Sequence, residues 1–127
     1  MPWTDPRPMS PHLQIYRMPI TAVLSVLHRA TGAVLFLGLL LMIAVLASIA
    51  SGEDNWLIMR GFLSSWLGYL ILFGFTFSLY YHLCNGIRHL LWDIGKGLSV
   101  SSLHKSAIIV LLSSVILTLL TWIIALL

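Results

Sequence analysis

Charge is what this chain has least of. Of its 127 residues only 9% are Asp, Glu, Lys or Arg and 59% are hydrophobic, against roughly 25% charged in a soluble globular domain. Together with a mean hydropathy of +0.98, this excludes a water-soluble fold. Cysteine is nearly absent as well. The single Cys84 cannot close an internal disulfide, and the chain has no CxxC, CxxCH or zinc-ligand spacing, so bound iron would have to use histidine. None of the four acidic residues falls inside an apolar stretch, which leaves no ion relay of the kind a transporter needs. The seven Lys and Arg residues, for a formal net charge of +3, are scattered between apolar segments. They form no stripe for tracking phosphates, and nucleic acid is not expected as a partner.

What is present is three stretches without any charge, residues 30–52, 61–87 and 106–127, of 23, 27 and 22 residues. Each exceeds the roughly 20 apolar residues that one bilayer crossing takes. The expected fold is an all-α membrane protein with three transmembrane helices in a single anchor domain, 1–127. That domain divides into an N-terminal segment over 1–20 and helices over 21–51, 58–93 and 104–127. Gly52 to Asn55 supply one turn, and Gly95, Gly97 and the following serines supply the other. Arg7, Arg17, Arg29, Arg88, Lys96 and Lys105 then collect on one side, and Arg60 stands alone on the other beside Glu53 and Asp54. The excess sets the N-terminus in the cytoplasm and the C-terminus at the outer face. The lead MPWTDPRPMSPH, with prolines at 2, 6, 8 and 11 and acidic Asp5, has neither the order of a secretory signal nor the composition of a mitochondrial presequence. The expected location is a bacterial plasma (inner) membrane, crossed several times, with a mature organellar protein as the alternative.

Several polar residues are not explained by hydropathy. Ser25, His28 and Arg29 stand at i, i+3 and i+4 where the first charge-free stretch begins, on one helix face that Gly32 and Phe36 continue. Arg29 reads either as a snorkelling anchor or, with His28 and Ser25, as part of a site for an anion or a carbonyl. In the second helix His82, Asn85, Gly86 and His89 follow at i, i+3, i+4 and i+7. His82 precedes Arg88 by six residues, about 9 Å deeper in the membrane at 1.5 Å per residue. A histidine at that depth either hydrogen-bonds a neighbouring helix or ligates haem iron, with Gly86 leaving room for the macrocycle. The propionates of a haem would need charge-assisted partners, and His28, Arg29, Arg88 and His89 all lie on the cytoplasmic side of His82. An ion pair with Asp93 is the other reading of Arg88. Trp3, Trp56, Trp66, Trp92 and Trp122 fit aromatic belts, and Tyr80 and Tyr81 fit packing. Cys84 lies roughly opposite His82 and faces lipid or a helix. The third helix, with only Ser and Thr as polar groups, reads as structural.

Two motifs carry a family resemblance. RPMSPHLQIY at 7–16 followed by SVLHRATG at 25–32, and HLCNGIRHLLWDIGKG at 82–97, resemble the patterns of the cytochrome b subunits, the larger membrane anchors, of succinate dehydrogenase (respiratory complex II). The resemblance covers nearly the whole chain. It implies an anchor that is not catalytic alone, holding a flavoprotein subunit that oxidises succinate and an iron–sulfur subunit that passes the electrons to ubiquinone. It also implies haem b, with His82 as axial iron ligand and the other ligand on a second small membrane-anchor subunit. Ser25 and Arg29 would line the quinone site, and His28, Arg29 and His89 would lie near the haem. A bis-His haem is suited to electron transfer, and hydroxyl and guanidinium donors suit the two carbonyls of a quinone. Two other functions remain open at this stage, a haem-free structural anchor and a fumarate reductase-type anchor.

Overall fold

A computed structural model describes residues 17–127. The 7–16 motif, with Arg7 and His12, lies outside the described residues, as does Trp3. The described chain forms four helices where three were expected: α1 (Ile20–Ala50), α2 (Glu53–Leu63), α3 (Trp66–Asp93) and α4 (Val100–Leu126). α1, α3 and α4 are long and apolar enough to cross a membrane. The helix expected over 58–93 is broken at Ser64 and Ser65, and α4 starts four residues before the expected 104.

Local chemistry sets each boundary. α1 starts after Pro19, whose carbonyl accepts from the amides of Ala22 and Val23 at 2.9 and 3.2 Å; the ring fixes φ and its missing N–H is no loss there. The turn into α2 runs through Gly52 at φ 110°, a left-handed conformation that glycine takes without steric cost. Glu53 and Asp54 open α2 and Arg60 lies in its last turn, each on the favourable end of the helix dipole. Ser65 then caps α3, its hydroxyl accepting from the Gly68 amide at 3.1 Å. Gly68 packs so close to the carbonyl oxygens of Phe62 and Leu63 that a Cβ would overlap them. Ser99 caps α4 in the same way, accepting from the Ser102 amide at 3.3 Å.

The three long helices meet in a small core of Leu24, Tyr81, Ala107 and Val110, flanked by Ile20, Phe77, Cys84 and Leu111. Cys84 thus faces the helices rather than lipid. The buried face of α4 is Ala107, Val110, Ser114 and Thr118, small residues that let membrane helices approach closely. Ser114 and Thr118 satisfy their hydroxyls on the carbonyls of Val110 and Ser114, at 2.6 and 2.7 Å. Tyr81 donates to the Leu24 carbonyl at 2.8 Å and Tyr80 pairs with Thr121 at 2.7 Å, tying α3 to α1 and to α4. Toward the other end of α1 an apolar groove of about 580 Å³ separates it from α3, lined by residues that include Leu35, Gly38, Met42, Leu72 and Phe75.

Candidate functional site

α1 and α3 meet around histidines. The rings of His28 and His82 stack with centroids 4.0 Å apart and planes 13° from parallel. His89, two turns along α3, lies 5.3 Å from His28 at a 42° tilt. The approach is made possible by glycine. A Cβ on Gly32 would stand 3.2 Å from Cε1 of His82, and one on Gly86 would stand 4.0 Å from Cε1 of His28. Gly32 is therefore the residue that makes room for the His82 ring. Gly86, expected to do so for a macrocycle, faces His28 instead.

The polar contacts of His82 fix which of its nitrogens carries the proton. Nδ1 lies 3.2 Å from the carbonyl oxygen of His28 and 3.3 Å from Oγ1 of Thr31. The Thr31 hydroxyl donates to that same carbonyl at 3.0 Å. A carbonyl only accepts, and the hydroxyl proton is directed to it, so Nδ1 is assigned as the N–H donor. Nε2 of a neutral ring then keeps the lone pair, the arrangement in which histidine binds a metal. Among the described residues, Nδ1 of His28 is buried without a hydrogen-bond partner.

The row His82, Asn85, Gly86, His89 divides between two surfaces. His82, Gly86 and His89 face α1, whereas Asn85 is fully buried and turned to Arg88, whose NH1 donates to its Oδ1 at 3.3 Å. A step of three residues falls about 60° short of a turn and a step of four overshoots by about 40°, enough to put Asn85 across the ridge. Arg88 also departs from both readings of it. It is only 3% exposed, its Nε donates to Ser106 Oγ at 2.9 Å and its NH2 to the Leu103 carbonyl at 3.3 Å. Its guanidinium lies 4.1 Å over the Trp92 ring. These contacts tie it to α4 and to its own helix, with the Trp92 ring, edge-on to His89 at 4.8 Å, between the guanidinium and the histidines; Asp93 is exposed.

Ser25 is half-buried and Arg29 exposed, one turn apart on α1. Phe36, expected on the same face, is 61% exposed. Thr31 is the site residue that sequence spacing did not single out. Its position three residues after His28, next to Gly32, was the available signal. Among the described residues no three His, Cys, Asp or Glu side chains are grouped to hold a bare metal ion. A haem iron can take a single imidazole from a chain, and His82, with Nδ1 occupied and its ring against Gly32, has the chemistry of such a ligand.

A family model described as succinate dehydrogenase/fumarate reductase transmembrane subunit matches residues 4–121. The succinate dehydrogenase cytochrome b556 subunit of Paracoccus denitrificans is 40% identical over 118 residues, 93% of this chain and 91% of that one. That of Rickettsia prowazekii is 40% identical over 117 residues, covering 92% and 91%. The mitochondrial cytochrome b560 subunit of Sus scrofa is 39% identical over 112 residues, 87% of this chain and 66% of the pig protein.

Proposed function

Since the chain belongs to the succinate dehydrogenase/fumarate reductase transmembrane-subunit family, we propose that it is the haem b-binding membrane anchor of a succinate:ubiquinone oxidoreductase. Succinate is oxidised on a flavoprotein subunit, an iron–sulfur subunit relays the electrons, and this chain holds that pair to the bilayer beside the quinone. A second small anchor would share the haem and supply its other ligand. The anchor domain comprises the whole chain, with the N-terminus in the cytoplasm of a bacterium and the C-terminus at the outer face of its plasma membrane.

The observation that carries this reading is the proton assignment on His82: Nδ1 donates to α1 and Nε2 keeps the electron pair that iron requires. Bound there, haem supplies a one-electron carrier between the iron–sulfur subunit and the quinone. His28 restricts rotation of the His82 ring by stacking on it, and its buried Nδ1, together with His89 and the guanidinium of Arg29, supplies donors suited to propionates. Ser25 and Arg29 present a hydroxyl and a cation one turn apart, suited to orienting quinone carbonyls and to passing protons from the cytoplasmic side. Arg88 is left out of this set, because its donors are taken by Asn85 on its own helix and by Ser106 and Leu103 of α4.

In membranes carrying the assembled complex, His82→Ala should abolish or shift the reduced-minus-oxidised haem spectrum. An unchanged low-spin spectrum would remove His82 as the ligand. In Ser25→Ala or Arg29→Leu complexes, quinone reduction should fall while succinate oxidation with a soluble artificial acceptor persists. Equal loss of both activities in fully assembled complex would place these residues outside the quinone site.

A further inference from the structure

Hydroxyls buried in apolar helices commonly return their proton to a carbonyl three or four residues back. Ser48, Thr76, Ser114 and Thr118 do so here, bonding the carbonyls of Val45, Leu72, Val110 and Ser114. Thr31 makes the same bond to His28 and goes further. It is 8% exposed, and the oxygen lone pair left after that donation lies 3.3 Å from Nδ1 of His82 on the neighbouring helix. Two acceptors of α1 that stand 3.0 Å apart, the His28 carbonyl and the Thr31 hydroxyl, therefore share one N–H on α3.

We propose that Thr31 is a positioning residue for His82, its hydroxyl completing a two-acceptor clamp that fixes the rotation of the imidazole and holds its proton on Nδ1. The inference rests on the reading of His82 as the iron ligand. A single acceptor lets the ring swing about the one N–H···O axis; a second, displaced along the helix, removes that freedom. Ring orientation and the acceptor strength at the far nitrogen together set how a histidine ligand tunes its metal. The side chain that shapes this site electronically is then an uncharged threonine acting through His82, and its hydroxyl rather than its methyl is the working part.

The test uses the assembled complex with Thr31→Val, Thr31→Ser and His82→Ala, read by haem content, electron paramagnetic resonance of the ferric haem and redox titration. Thr31→Val keeps the shape and removes the hydroxyl; it should retain haem but move and broaden the low-spin signal and displace the midpoint potential. Thr31→Ser should restore the parent signal and potential. Should Thr31→Val fail to assemble, Thr31→Ala takes its place. Loss of haem in both of these variants with retention in Thr31→Ser would equally support a hydroxyl requirement. The proposal fails if Thr31→Val or its replacement matches the parent in both readouts, or if Thr31→Ser is displaced as far as Thr31→Val. A parent-like haem spectrum in His82→Ala would instead refute the ligand assignment, an outcome distinguishable from failure of the clamp alone.

Discussion

Arg88 is a cation, 3% exposed, whose hydrogen-bond partners are all neutral: a hydroxyl, a side-chain amide and a backbone carbonyl. Such a group is retained in a membrane helix only if its donors are well placed, and here they bind α3 to α4. Arg88→Met should therefore strip partners from buried Asn85 and Ser106 and cost about 1–3 kcal/mol. That loss should appear as a lower thermal unfolding midpoint of the purified complex, with the haem spectrum unaltered. A spectral shift in a fully assembled Arg88→Met complex would return the guanidinium to the haem and defeat this assignment. Sequence spacing put His82 and His89 on one face of α3, because an i+7 step stays within a face; that His28 meets both follows from how α1 packs on α3. It did not show that Asn85 and Arg88 turn to each other and to α4, because which neighbour a residue at the margin of a face turns toward depends on where the third helix packs. Hydropathy carries no record of that.

The corner between α2 and α3 is built by Ser65 and Gly68, a cap and a close backbone approach that are invisible to a scan for charge-free runs. Residues 61–87 read as one apolar segment for that reason, and the break at Ser64–Ser65 falls inside it. Gly68→Ala should drive a methyl into the carbonyl oxygens of Phe62 and Leu63, which being backbone cannot rotate away. An overpacking cost of about 1–3 kcal/mol follows, measurable as a lower unfolding midpoint, whereas alanine at Gly74, which meets nothing within 4 Å, should leave the midpoint unchanged or raise it. Equal midpoints for the two variants would mean that the corner relaxes freely. The three long helices, by contrast, were legible from composition, since a charge-free run of this length crosses hydrocarbon as a helix, which satisfies its backbone within the segment. The polar face of α4 was legible only as composition: Ser114 and Thr118 turn inward because small side chains suit a tight helix contact.

Very little of the molecule is shielded by its own chain. None of the most apolar 18-residue window of α1 is buried, and 22% of that of α4, so the remaining surface is matched to lipid or to another membrane subunit. Hydrophobic burial contributes little to holding helices together in lipid, and the ties between them are correspondingly polar: Tyr81 to the Leu24 carbonyl, His82 to the His28 carbonyl, Arg88 to Ser106 and Tyr80 to Thr121. The proposed orientation rests on the charges that flank the spans. With Cys84→Ser as background, a cysteine replacing exposed Ser99 should be protected from an impermeant outside reagent in intact cells, and one replacing exposed Asn55 should react. Reaction of the Ser99 position from outside would invert the topology and put Arg29 and His89 on the wrong face for electrons arriving from a cytoplasmic subunit.

The carbonyl that accepts from His82 belongs to the main chain of residue 28, and this gives the site an unusual division between what mutation can reach and what it cannot. Any amino acid at position 28 presents the same oxygen, provided α1 stays helical. Variation there can erase the stacked ring and its buried nitrogen yet leave the proton on Nδ1 of His82 where it was. The identity of that proton's host is inherited with the path of a helix rather than spelled by a codon, and the only substitution-sensitive share of it is the hydroxyl one turn along.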